Sequence, residues 1–259
     1  MATNSVPPAP GSSAAPQPEQ KMSAIARIFG ALFSPKAAFT DICARPGVVL
    51  PMLLLLVSML GGVYAIGQHV GWDRFARQQM DKNPRAAAQI EQLPPDQRDA
   101  AYARGTVFTK YIAYAIPFLY PPFLVFAVGG ILLGAVNVMT GASIDYRRAT
   151  AIVAYSAMPL VIGGLLGILV IMLKDPSTID VQRLMASNLA VVTSGDSPAW
   201  EVALASKIDI FTFWEFALMA IGFAAANPKK ITIGKAWATI LTTWGIWVVV
   251  SVGLTAAFS

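Results

Sequence analysis

Residues 47–68 read GVVLPMLLLLVSMLGGVYAIGQ. No charge interrupts this run. As an α-helix it crosses the roughly 30 Å hydrocarbon layer of a bilayer. One such segment could still be the buried helix of a large soluble domain. The rest of the chain decides against that. It is 259 residues long, 56% hydrophobic and only 13% charged, where a soluble domain carries roughly 25% charged residues. The expected fold is all-α: a polytopic membrane protein, a bundle of five transmembrane helices with an N-terminal amphipathic interfacial helix.

On the N-terminal side, residues 1–20 are rich in Pro, Ala, Ser and Gln. They show no basic segment followed by an apolar one, so they do not read as a secretory signal. They lack the apolar content to fold and read as a disordered tail. Residues 21–46, KMSAIARIFGALFSPKAAFTDICARP, are too polar to span. Ile25, Ile28, Phe29, Leu32 and Phe33 recur at helical spacing, with Lys21, Arg27, Lys36 and Arg45 nearby. This pattern predicts a basic amphipathic helix in the interface, broken at Ser34-Pro35. Packing of the same segment against the membrane bundle is compatible with that.

On the C-terminal side, residues 47–259 form the membrane domain. Further apolar runs cover about 107–139, 149–173, 208–226 and 236–257. The run 107–139 is too long for one straight span. Pro117, Pro121 and Pro122 predict a kinked or tilted helix whose freed carbonyls find donors on neighbouring helices. Gly129, Gly130, Gly134 and Ala135 offer it a small-residue face. Between runs one and two, residues 71–104 are polar, with Trp72, Phe75 and Met80 amid Asp73, Arg74, Arg77 and Lys82. They predict two short helices parted by Leu93-Pro94-Pro95-Asp96. A second long polar loop covers 174–207.

The net charge of +5 would suggest nucleic acid in a soluble protein. Here the cations sit in short loops, at Arg147-Arg148 and at Lys229, Lys230 and Lys235, without a basic stripe of interleaved aromatics. They read instead as orientation signals. The N-terminus is then cytoplasmic and the C-terminus extracytoplasmic. The Ala-, Gly- and Arg-rich composition suits a bacterial plasma membrane.

Polar groups within lipid are costly and mark candidate sites. Glu215 is the clearest, inside DIFTFWEFALM, with Asp209 at the mouth of that run. Lys110 falls on the same side, and Asn137 near the opposite end of its own run. A pairing of Glu215 or Asp209 with Lys110 or Lys207 would fix helix register. The functional alternative is a proton or substrate site in a transporter, channel or lipid-handling protein. No catalytic, cofactor-binding or metal site is assigned. The chain has one Cys, Cys43, and one His, His69. A disulfide within the chain and a two-histidine metal site are therefore excluded, and neither a P-loop nor GxSxG occurs. An enzyme is not expected.

Four stretches carry a resemblance: SPKAAFTDICARP from Ser34, DYRRATAIVAYSAMP from Asp145, DIFTFWEFALMAIGF from Asp209, and KAWATI after the last short basic loop. In order and spacing the chain resembles the Yip-one domain family of Ypt/Rab-interacting membrane proteins, in its prokaryotic branch. The resemblance implies a five-span helical domain with a cytoplasmic N-terminus. It supplies no catalytic residues. Eukaryotic relatives are linked to vesicle trafficking and membrane shaping. The function expected is a non-catalytic scaffold, adaptor or membrane-organising protein. Its partners would be the lipid bilayer, other membrane proteins or further copies of itself, and no cofactor.

Overall fold

A computed structural model describes residues 21–81, 84–179, 184, 187–194 and 197–258. The tail expected over residues 1–20, and Lys82, lie outside them. Twelve α-helices form among the described residues and no strand does; the one isolated bridge joins Asn188 to Asp209.

Helices α1 (Ala24–Phe33) and α2 (Pro35–Ala44) make an N-terminal hairpin. Ser23 Oγ accepts from Ala26 N and caps α1. Pro35 ends α1 and opens α2, as residue spacing predicts. The hydrophobic stripe of α1 divides: Ile28 turns inward, whereas Ile25, Phe29 and Phe33 are exposed. Helix α2 is not amphipathic toward a membrane surface. It buries Ala38, Phe39, Ile42 and Cys43 inside the protein. Of the two compatible placements for this segment, α2 adopts the packed one.

The first span is α3 (Val49–Ala65), continued by a π-helical turn over Ile66–Val70. Gly71, at φ +85°, then reverses the chain; that left-handed conformation favours glycine. The polar stretch forms α4 (Trp72–Asp81) and α5 (Pro84–Glu91), and its last part joins α6 (Pro95–Pro122). The second short helix expected there is therefore the first turns of a long one. Pro95 permits this because proline suits the first turn of a helix.

Helix α6 runs through its prolines into a π-helical segment, Phe123–Val128, and on into α7 (Gly129–Thr140). Pro121 and Pro122 have no N–H for the helical ladder, and a π segment follows directly where the ladder is shifted. Tyr146 Oη donates to Phe126 O at 2.9 Å. A neighbouring element thus serves a carbonyl in the irregular turn. Gly129 and Gly130 do take helix α8 (Tyr146–Ser156) at close range, against Thr150 and Tyr146, while Gly134 faces open space.

Helix α8 is buried from Ala149 to Ser156. A turn at Ala157 separates it from α9 (Met158–Leu173). Ser58 of α3 lies against Gly164 of α9, and its Oγ donates to Val161 O at 3.4 Å. Helix α10 (Ala199–Lys207) precedes α11 (Ile210–Ala226), and α12 (Ile233–Phe258) closes the chain.

Four helical stretches are long and apolar enough to cross a membrane: Val49–Val70, Pro95–Thr140, Tyr146–Leu173 and Ile233–Ala257. The protein buries little of them; in the last, 11% of the apolar window is covered. An apolar surface of that extent turned outward belongs to a lipid solvent. Helix α11, the segment expected as the fourth of five spans, is apolar but has 17 residues. It is also the helix at the centre, packed by α2, α8, α9 and α12.

Candidate functional site

Two close approaches fix how α11 lies on the broken helix α8–α9. A Cβ on Gly222 would stand 2.6 Å from Ile152 Cγ2, and a Cβ on Gly163 would stand 3.1 Å from the Phe211 ring. The residues of each pair run in opposite directions by the same number of turns, so both contacts share one antiparallel register. Phe211, Glu215, Leu218 and Gly222 form one stripe of α11 at spacings of four, three and four. Ile152, Ser156, Pro159 and Gly163 form the facing stripe at the same spacings. In this register Glu215 stands opposite Pro159, beside the break at Ala157.

Glu215 is buried, and so is Ser156. Glu215 Oε1 and Ser156 Oγ are buried side-chain oxygens without a hydrogen-bond partner among the described residues. Leu218 and Phe216 beside Glu215 are also buried. The aromatic cluster Phe213, Phe216 and Trp244, with edge-on ring contacts near 5.8 Å, covers the α12 side. A carboxyl group is therefore held in an apolar interface next to a helix interruption, where Pro159 leaves the ladder one donor short.

Among the described residues Glu215 forms no ion pair. Lys207 reaches over the Trp247 ring, with Nζ 5.7 Å from its centroid. Lys110 is exposed on α6. Asp209 is the N-cap of α11: its Oδ1 accepts from Phe211 N at 2.9 Å and Thr212 N at 3.2 Å. Asn137 bonds both ways with Ile144, donating to its carbonyl at 3.1 Å and accepting from its N–H at 3.0 Å. It staples the turn between α7 and α8 rather than bridging two spans. The four candidates thus do not converge. Asp209 and Asn137 shape backbone, Lys110 is on the surface, and Glu215 is buried. Ser156, at the end of α8, is a second buried and unpartnered polar group that the sequence did not single out.

A second feature lies at the end of the bundle that carries the short basic loops. Asp41 holds Arg27, with Nε–Oδ2 at 2.6 Å, and also Arg45. Arg27 Nη1 donates to Arg45 O at 3.1 Å. Arg148 Nε donates to Cys43 O at 3.1 Å, at the C-terminal end of α2, where a cation suits the helix dipole. Lys230 Nζ donates to Gly141 O. These bonds tie the hairpin and two loops into one surface. Lys21, Lys36, Arg147 and Lys229 stand exposed on it and form no ion pair among the described residues. Cys43 Sγ lies 3.9 Å from Gly222 O, and burial pushes its thiol up to about 11. No group of three or more His, Cys, Asp or Glu able to hold a metal ion occurs among the described residues.

Compared with known families, residues 29–257 match the Yip1 domain. No curated protein and no solved structure matches the chain.

Proposed function

The chain belongs to the Yip1 domain family of membrane proteins, and we propose that it is a non-catalytic scaffold or adaptor of the bacterial plasma membrane, with five spans and a cytoplasmic N-terminus. The observation that carries this reading is the α1–α2 hairpin. Asp41 clasps its two helices together, Arg148 pins it to the bundle, and yet it turns Ile25, Phe29 and Phe33 outward. A surface held this firmly and left uncovered suits docking. In this reading α1 lies at the cytoplasmic headgroup boundary, with Lys21 and Lys36 beside it toward anionic headgroups and its exposed apolar ridge open to a partner in that boundary. The adjoining basic loops meet other membrane proteins or a second copy of the chain.

Helix α11 counts as the fourth of the five spans in this proposal. Its 17 residues lie at the short end of the spanning range. With α11 across the membrane, the basic loops at 141–148 and 227–235 fall on the side of the N-terminus, as the positive-inside rule requires. Photo-crosslinking from the hairpin in native membranes tests the docking role. The buried, unpartnered carboxyl of Glu215 favours a second reading, a transporter, channel or lipid-handling protein. A solute or lipid flux in liposomes that Glu215→Gln removes would support it.

A further inference from the structure

We propose that the groove between α3 and the proline-broken end of α6 seats one acyl chain of an anionic glycerophospholipid, whose headgroup meets the arginines at the groove's end. This surface is separate from the α1 ridge, and the lipid is held there whether or not the hairpin docks a partner. The prolines make the groove. Pro117, Pro121 and Pro122 line one side with short, flat rings, where longer side chains would fill the space against α3. Val49, Leu53 and Leu56 stand on the other side. No lining residue is charged or polar. The groove lies on the outside of the bundle, since Val49, Leu53, Phe118 and Phe126 are exposed.

Its size selects the occupant. Consecutive spans run in opposite directions, so Val49 and Phe126 mark one end of the groove and Leu56 and Pro117 the other. Val49 to Leu56 covers about 10 Å of helix. That length falls within the roughly 15 Å of hydrocarbon in one leaflet. A helix is about 10 Å across and would need roughly 800 Å³ to enter over the same length. A hydrocarbon chain, about 4–5 Å across at van der Waals contact, needs roughly 200 Å³. The cavity measures about 290 Å³, which admits the chain and not the helix.

Charge selects the headgroup. Val49 opens α3 four residues after Arg45. Tyr146 Oη donates to Phe126 O, which brings the first turn of α8, and Arg147 with it, to the same end. Arg148 Nε on Cys43 O ties that turn to the end of α2. The two acids here are already engaged, Asp41 by Arg27 and Arg45 and Asp145 by Arg148. Arg147 is exposed, so the surplus charge at this end is positive. A chain that enters between Val49 and Phe126 leaves its phosphate at the level of these arginines, and a basic site between transmembrane helices favours an anionic headgroup over a zwitterionic one.

Native mass spectrometry of the full chain in detergent, offered equal amounts of phosphatidylglycerol and phosphatidylcholine with the same acyl chains, tests this. The protein should retain one phosphatidylglycerol in several-fold excess over phosphatidylcholine. Leu53→Trp and Val49→Trp, made separately at two exposed positions of the groove, fill it and should each remove that excess, with an unfolding midpoint near the native one as the check on folding. Arg147→Gln should lower phosphatidylglycerol occupancy about fivefold, the effect of one basic residue at an anionic surface, and leave phosphatidylcholine unchanged. Equal retention of the two lipids by the native protein overturns the proposal. A phosphatidylglycerol excess that survives both groove variants overturns it too, because the basic surface alone then binds the lipid, and so does an excess that Arg147→Gln leaves intact. A dimer of the chain that Leu53→Trp dissociates would show a second copy covering the groove and would equally overturn it.

Discussion

The ring of Phe39 rests on the bare backbone of Gly222. A methyl group placed on that glycine would come within 3.0 Å of Phe39 Cδ1 as well as 2.6 Å of Ile152 Cγ2. Three helices, α2, α8 and α11, meet at this point, and the N-terminal hairpin is joined there to the membrane bundle.

Gly222→Ala should therefore destabilise the protein by about 1–3 kcal/mol, the usual cost of overpacking a filled core. Gly134→Ala, where a methyl group meets nothing within 4 Å, should be neutral or slightly stabilising. Thermal unfolding of both variants in the same detergent gives the comparison. Equal midpoints would show that the three helices do not approach this closely.

Asp41→Asn should loosen the hairpin by parting α1 from α2. Asp41 holds both Arg27 and Arg45, and charge-assisted bonds of this kind contribute about 1.5–3 kcal/mol each when well shielded. The expected result is faster hydrogen exchange over residues 24–45 with the spans unaffected. Unchanged exchange in that segment would mean that the hairpin is held by packing alone.

Cys43 reports the same event chemically. Its thiol is buried and pushed up to about 11 from an ordinary value of 9.0. The folded state thus holds this proton more tightly than the unfolded chain does. The associated stability is present below pH 9 and is lost as pH rises through 9 toward 11. Maleimide labelling at pH 8 should be slow in the native protein and should accelerate in Asp41→Asn and Arg148→Ala. Fast labelling of the native protein would place Cys43 outside the core.

Tyr146→Phe removes the hydroxyl that serves Phe126 O in the π-helical turn. The expected loss is about 1 kcal/mol, one hydrogen bond with its acceptor left short of a donor. An unfolding midpoint equal to that of the native protein would show that another donor replaces it.

The apolar helices were legible in the sequence because lipid leaves the backbone few choices and demands long uncharged runs. The break after Ser34 and the disturbed helix around Pro121-Pro122 were legible for the same reason, since a proline removes a donor wherever it falls. The role of α2 was not. Ala38, Phe39, Ile42 and Cys43 carry a clear helical spacing, but Ile25, Phe29 and Phe33 in α1 carry the same one, and only the tertiary packing sends one set inward and the other out. Glu215 was recognisable as a charge in an apolar run. Its surroundings were not, because topology puts Lys110 and Lys207 on its side of the membrane, whereas packing leaves Lys110 exposed and sets Lys207 over Trp247.

The docking role is tested most directly by a photo-crosslinking side chain placed at Phe33 or at Lys36 of the full chain in its native membrane, with the adducts identified by mass spectrometry. One recurring membrane-protein partner, or a second copy of the chain, should be captured from both positions and lost in Asp41→Asn. Adducts with lipid alone from both positions, together with a solute flux in liposomes that Glu215→Gln removes, would contradict it.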